Sequence, residues 1–226
     1  MPLQLRQPPI PSVPLLYLIT SGQTTVATTP ASEAFRSVLR LIQAAVAARI
    51  DLVQIREKNL RPSVLYELAA RAAGITKGSA TRLLVNDRSD VAAAAGADGV
   101  HLTTNSLPAE VVRRTFGADF VIGVSTHSLA EASLARRGGA DFVVFGPVFE
   151  TASKKEFGEA QGLGKLARVC ADLAPFPVLA LGGVTQDNAA DCLRAGARGV
   201  AAIRMFDGPE RLGEMVNALR ARLSET

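Results

Sequence analysis

The sequence predicts one α/β domain built as a (β/α)8 barrel of the TIM type. Short apolar, often β-branched runs alternate with longer segments of helical spacing along the chain. The runs are apolar on both faces, as strands of a parallel sheet covered by helices must be. Eight run–helix units follow one another, and the segment "ITSGQTT" after the first run lacks the G-x-G-x-x-G loop that an open doubly wound sheet favours.

Taken in order, the first strand is expected at residues 15–20 ("LLYLIT") with a helix at 33–48. The second pair is 51–57 ("DLVQIRE") and 63–76, the third 82–87 ("RLLVND") and 89–95, and the fourth 99–103 ("GVHLT") and 107–116. The fifth strand, 120–126 ("FVIGVST"), leads to a helix at 128–138, where Ser128 and Glu131 have the spacing of a capping box. The sixth pair is 141–149 ("DFVVFGPVF") and 162–173. The seventh is 177–183 ("PVLALGG") and 186–195, entered through Thr185 and Asn188; the eighth is 199–205 ("GVAAIRM") and 209–223. Three helix exits share one form, "AAGADGV", "RGGADFV" and "RAGARGV", each with a Gly where a left-handed residue is needed before the next strand. Residues 1–14 are Pro-rich and read as a loose, flexible N-terminal arm, leaving 15–226 as the barrel.

With 48% apolar residues in 226, the chain can build a large core, and no apolar run approaches the ~20 residues of a membrane span. A cytoplasmic location is the default expectation. Cys170 and Cys192 lie in helical patterns without metal spacing and read as buried thiols. The charge of +4 is mild, the basic residues are scattered and Trp is absent, so a small anionic substrate is expected rather than nucleic acid. A homo-oligomer is left open.

In such a barrel the active site lies at the carboxyl ends of the strands. Collecting those ends yields Gln54, Arg56 and Lys58, spaced by two, then Asn86 and Asp87, then Ser125 and His127. The sixth strand runs on to Thr151, Ser153 and Lys154; the seventh ends in Gly182 and Gly183, and the eighth in Arg204. Cations, hydroxyls, amides and bare backbone in this mixture bind phosphates. Asp87 suits Mg2+, which often takes one or two carboxylates and completes its shell with phosphate oxygens and water. Plainer readings stand beside these. Asp87 could N-cap the helix that follows, His127 could pack on a loop, Gly182-Gly183 could be a tight turn, and Arg204 could be a surface arginine. His101, inside the fourth strand, reads as a satisfied core histidine.

The segments "VQIREK", "LLVNDRSDVAAAAGADGVHL", "IGVSTHS" and "GADFVVFGPVFETASK", with "LALGGVTQDNAADCLRAGARGVAAI", resemble thiamine-phosphate synthases over residues 16–206. The resemblance implies a barrel that joins 4-amino-2-methyl-5-hydroxymethylpyrimidine diphosphate to 4-methyl-5-(2-hydroxyethyl)thiazole phosphate, releasing pyrophosphate. It assigns Gln54, Arg56, Lys58, Asn86, Ser125 and Lys154 to the pyrimidine diphosphate and Asp87 to Mg2+. Thr151, Ser153, Gly183 and the backbone at Ile203 go to the thiazole phosphate. The chain departs from the family pattern "HLGQEDLP" at "HLTTNSLP", where Ser106 stands in place of a second metal-binding Asp, and Arg204 stands where Ser is usual. The sister thiazole tautomerases, which share the barrel and need no Mg2+, also lack that Asp and use a histidine at the position of His127. A non-catalytic phosphate-ligand-binding paralogue is the third reading.

Overall fold

The computed structural model describes residues 14–150 and 160–224. Among them, eight parallel strands close into a barrel in the order β1 to β8, each followed by a helix. The units are β1 (Leu15–Ile19) and α1 (Glu33–Ala47), β2 (Leu52–Ile55) and α2 (Pro62–Thr76), β3 (Arg82–Asn86) and α3 (Ser89–Ala95), and β4 (Gly99–Leu102) and α4 (Ala109–Phe116). They continue with β5 (Val121–Thr126) and α5 (Leu129–Arg137), β6 (Phe142–Phe145) and α6 (Gly162–Leu173), β7 (Val178–Leu181) and α7 (Ala189–Arg194), and β8 (Gly199–Ala202) and α8 (Leu212–Ser224). A 3-10 turn, Arg204–Phe206, lies between β8 and α8. The expected fold class holds. The proposed N-terminal arm lies outside the described residues apart from Pro14, whose carbonyl accepts from Arg220 Nη1 at 3.3 Å.

Strand parity divides the core into two layers. Outward residues such as Leu16, Leu18, Val53, Ile55, Leu83 and Val85 are buried against the helices. Inward residues Leu15, Tyr17, Leu52, Leu84, Val121, Phe142, Val144 and Leu179 fill the lumen. Both faces of every strand are therefore buried, which is why the runs read as continuously apolar. The lumen is tight at one level. A Cβ on Gly123 would lie 2.4 Å from the ring of Phe142 and 2.9 Å from His101 Nδ1, so only glycine leaves room for both rings.

Strands β2, β6, β7 and β8 end two or more residues before the runs expected for them. β6 stops at Phe145 rather than residue 149, because Pro147 has no N–H to continue the ladder. β2 stops at Ile55, which puts Arg56 and Lys58 in the loop beyond it. β8 stops at Ala202, and Phe206, buried at the end of the 3-10 turn, draws the chain back over the helices. Beyond Pro147, Val148 N–H and Phe149 N–H still donate to Leu181 O and Gly182 O at 2.8 and 2.9 Å, outside the regular ladder. α7 starts at Ala189 rather than 186: Thr185 N–H donates to Asn188 Oδ1 at 2.8 Å and Asn188 N–H to Thr185 Oγ1 at 3.4 Å, which holds 185–188 as a turn. The Ser128 cap forms as expected, accepting from Glu131 N–H at 3.2 Å.

The repeated helix exits have a second function at the amino-terminal face. Gly96, Gly139 and Gly196 all have φ between 72° and 93°. The residue just before an even-numbered strand then reaches back to the odd-numbered strand beside it. Asp51 accepts from Leu16 N–H, Asp98 from Leu83 N–H and Asp141 from Ile122 N–H, at 2.7–2.8 Å. Each carboxylate also holds an arginine: Arg220, Arg82 and Arg113 respectively. Arg198 occupies the fourth such place. Half or more of these Asp side chains is removed from water, so the bonds contribute more than exposed pairs do. We expect Asp141→Ala, which leaves Ile122 N–H without its acceptor and Arg113 with backbone carbonyls alone, to cost about 2–4 kcal/mol in urea unfolding. Asp187→Ala, whose pair with Arg222 is largely exposed, is expected to cost no more than ~0.5 kcal/mol.

Candidate active site

At the carboxyl end of the barrel, four polar side chains from four strands are hydrogen-bonded in series across the lumen. Gln54 Nε2 donates to the Tyr17 hydroxyl at 2.8 Å, that hydroxyl lies 3.1 Å from His101 Nδ1, and His101 Nε2 lies 2.9 Å from Ser125 Oγ. Gln54, Tyr17 and His101 are buried, and Ser125 is partly exposed at the lumen end of β5. Burial, with the Arg56 guanidinium nearby, lowers His101 to about 3, and burial raises the Tyr17 phenol well above its ordinary value. Both stay uncharged at neutral pH. The rings pack on one another and on Phe142, with centroids 5.7–6.2 Å apart. His101 is a satisfied core histidine, as read, yet it also touches a site residue. Tyr17 is the residue that sequence reasoning passes over, since it sits mid-strand in "LLYLI". The available signal was its inward parity, shared with Gln54 on the neighbouring strand.

The loop after β2 separates charges by alternation. Arg56 is partly buried and Lys58 exposed, while Glu57 between them is buried and turned away. Glu57 accepts from Thr20 Oγ1 and Thr24 Oγ1 at 2.6 Å each, from Thr24 N–H at 3.1 Å and from Gly22 N–H at 3.2 Å. Thr20 Oγ1 in turn accepts from Arg56 N–H at 2.8 Å. A carboxylate that the sequence reading leaves out thus fastens the loop after β1 beside the two cations. Gly22, with φ of 77°, comes close enough that a Cβ there would meet Arg56 O at 3.1 Å.

Asn86 ends β3, and Asp87 follows it with φ of 63°, an uncommon conformation for a non-glycine residue. The Asp87 N–H donates to His101 O at 2.8 Å, which holds the turn, and the carboxylate is exposed at the mouth. The helix-capping reading of Asp87 is overturned: α3 begins at Ser89 with Arg88 in the cap position. After the neighbouring strand β4, Ser106 is occupied within its own turn. Its Oγ accepts from Thr103 N–H at 2.7 Å and lies 3.1 Å from Thr103 Oγ1.

The remaining candidates are dispersed around the rim. His127 is exposed; its Nδ1 donates to the Gly146 carbonyl, tying the loop after β5 to the loop after β6. Gly182 and Gly183 have φ of 94° and 65°, and a Cβ on either would strike Pro147 or Phe149 within 2.6 Å. Both glycines are therefore also required by packing against the loop after β6. Asn188 Nδ2 donates to the Gly183 carbonyl at 2.9 Å. Ile203 packs on the lumen cluster. Arg204 is exposed in the 3-10 turn, not at a strand end as expected, because the chain leaves the sheet after Ala202. Thr151, Ser153 and Lys154 lie outside the described residues.

The model of the family described as thiamine monophosphate synthase matches residues 16–206. The chain belongs to this family. It is 40% identical over 184 residues to the thiamine-phosphate synthase of Methanoculleus marisnigri, covering 81% of this chain and 87% of that one. It is 37% identical over 191 residues to that of Chloroflexus aurantiacus, covering 84% and 88%. Among solved structures, thiamine phosphate pyrophosphorylase from Pyrococcus furiosus superposes with a TM-score of 0.75 at 30% identity, covering 93% of this chain and 96% of that one.

Within this thiamine monophosphate synthase family member, the donor chemistry at β3 fits a hard divalent cation that keeps most of its shell for substrate oxygens and water. Asp87 offers one exposed carboxylate, and among the described residues no three His, Cys, Asp or Glu side chains cluster as a full protein cage would.

The neutral His101 has a measurable consequence. The unfolded chain takes up a proton on this residue near pH 6.5, whereas the folded chain refuses it until about 3. Folding stability therefore falls as pH drops below about 6.5, by up to about 1.4 kcal/mol per pH unit. Between pH 7 and pH 5 this amounts to about 2 kcal/mol. Urea unfolding of the wild type and of His101→Asn is expected to show that increment in the wild type alone; equal losses in both would contradict it.

Proposed function

We propose that this protein is a thiamine-phosphate synthase, a transferase that condenses 4-amino-2-methyl-5-hydroxymethylpyrimidine diphosphate with 4-methyl-5-(2-hydroxyethyl)thiazole phosphate. The observation that carries the reading is the family match across residues 16–206. Supporting it, Gln54, Arg56, Asn86, Asp87, Ser125 and Gly183 all stand at the carboxyl rim of one closed barrel. In the reaction, the bond between the pyrimidine methylene carbon and the diphosphate oxygen breaks, and its electron pair leaves with the diphosphate. The thiazole nitrogen supplies the pair for the new C–N bond, and no proton need be moved by the protein.

The chemistry therefore asks for charge stabilisation and alignment. Arg56 and Lys58 meet the departing diphosphate with charge-assisted hydrogen bonds, and Lys154 joins them. Gln54, Asn86 and Ser125 orient the pyrimidine diphosphate. The family resemblance assigns Thr151, Ser153, Gly183 and the backbone at Ile203 to the thiazole phosphate, and Gly182 and Arg204 are read as further binding groups beside them. Asp87 would hold Mg2+, which when bound neutralises developing charge on the leaving oxygens. The lumen beneath contributes no competing charge, since His101 and Tyr17 are neutral. A soluble, cytoplasmic setting belongs to the same proposal; among the described residues no helix is long and apolar enough to cross a membrane.

A second reading has one observation in its favour. The Nδ1 bond of His127 to Gly146 directs proton exchange to Nε2, which suits a thiazole tautomerase acting by proton transfer. The two are separated by one assay. Both phosphorylated substrates with Mg2+ are expected to yield thiamine phosphate and pyrophosphate in equal amounts; no product at high enzyme concentration would sink the synthase reading. Isomerisation of a thiazole carboxylate phosphate, lost in His127→Ala, would establish the tautomerase instead. If Ser106 faces the metal position, Ser106→Asp keeps the acceptor for Thr103 N–H and adds a carboxylate. The half-saturating Mg2+ concentration is then expected to fall roughly tenfold, equivalent to about 1.4 kcal/mol. An unchanged value would place position 106 away from the metal.

A further inference from the structure

We propose that Tyr17 and His101 are positioning residues that set the polarity of Ser125, making its hydroxyl a hydrogen-bond donor to an anionic substrate oxygen. The inference rests on the synthase reading for the identity of that oxygen; the polarity itself rests on the orientation of the Gln54 amide, whose Nε2 faces the Tyr17 hydroxyl, and on counting protons from there.

Gln54 Nε2–H occupies one lone pair of the Tyr17 oxygen. The phenol has one proton of its own, and its other hydrogen-bonding neighbour among the described residues is His101 Nδ1. Were the ring proton on Nδ1, two donors would point at the phenol oxygen and the phenol proton would have no acceptor in a fully buried lumen. That arrangement is disfavoured by about ten- to a hundredfold. Every proton finds an acceptor only if Tyr17 O–H donates to Nδ1 and the ring proton sits on Nε2. His101 Nε2–H then donates to Ser125 Oγ, 2.9 Å away. With that lone pair taken, the Ser125 proton turns from His101 toward the mouth of the barrel. A donor at this place complements a phosphate oxygen and repels nothing on it. The direction of the chain is set at its far end: reversing the Gln54 amide would reverse each bond and make Ser125 donate to His101 instead.

The first test needs no substrate. In the full chain labelled with 15N-histidine, two-bond nitrogen–proton correlations read the tautomer of each of the two histidines, with His101→Asn assigning the signals. The expected result is a neutral Nε2–H His101 from pH 8 to pH 5; an Nδ1–H tautomer or an imidazolium overturns the proposal. The second test measures binding of inorganic pyrophosphate with Mg2+ by calorimetry. Ser125→Ala is expected to weaken binding by about tenfold or more, as loss of a bond to a charged group should. Tyr17→Phe is expected to weaken it severalfold in the wild type and to have no effect in the Ser125→Ala background. An equal effect in both backgrounds, or none in either, would show that Tyr17 does not act through Ser125. If condensation fails while the Nε2–H tautomer and the coupling hold, only the synthase reading falls.

Discussion

A closed barrel has no room for water at its centre, so any polar atom set there must find its partner among other inward side chains. That constraint organises this molecule. Tyr17, Gln54 and His101 occupy inward positions that apolar residues fill elsewhere, and each finds its partner on another strand. The series links β1, β2, β4 and β5, and it fits only because Gly123 leaves space for the His101 and Phe142 rings. Packing and function meet in one layer. The aromatic cluster that closes the lumen is also the floor on which Ser125 stands.

The two ends of the barrel use charge in opposite ways. At the amino-terminal face, Asp51, Asp98 and Asp141 pair with arginines and take strand N–H groups, so their charges are spent on stability. At the carboxyl-terminal face, Arg56, Lys58 and Asp87 are presented by loops. Glu57 is the exception that makes this presentation possible. Buried and given four donors, it anchors the loop after β1 without drawing on the cations either side of it.

The neutral corner after β4 has a local explanation. In "TTNS" the Ser106 hydroxyl closes its own turn by accepting from Thr103 N–H, so the segment is a self-contained bend. Asp87 follows the neighbouring strand β3, held in a left-handed conformation by a bond to the carbonyl of His101. The backbone of His101 thus holds Asp87 at the rim while its side chain lies in the lumen series.

The barrel was legible because its determinants are local and periodic: eight two-sided apolar runs, helical spacing between them, and glycines where left-handed exits recur. The rim residues were legible because strand ends in this architecture converge on one face. Strand limits were less so, since burial by a loop and burial by a sheet look alike in a run such as "FVVFGPVF"; the proline and the ladder decide. What the sequence by itself determined is the fold, the family and the list of polar groups at the mouth. What only tertiary structure decided is how those groups are held. Glu57 facing away from Arg56, Ser106 folded into its own turn, and the hydrogen-bonded path through Tyr17 and His101 all join residues 3 to 84 positions apart. Hydrogen bonds form between atoms that folding brings within about 3 Å, and spacing along the chain carries little of that information.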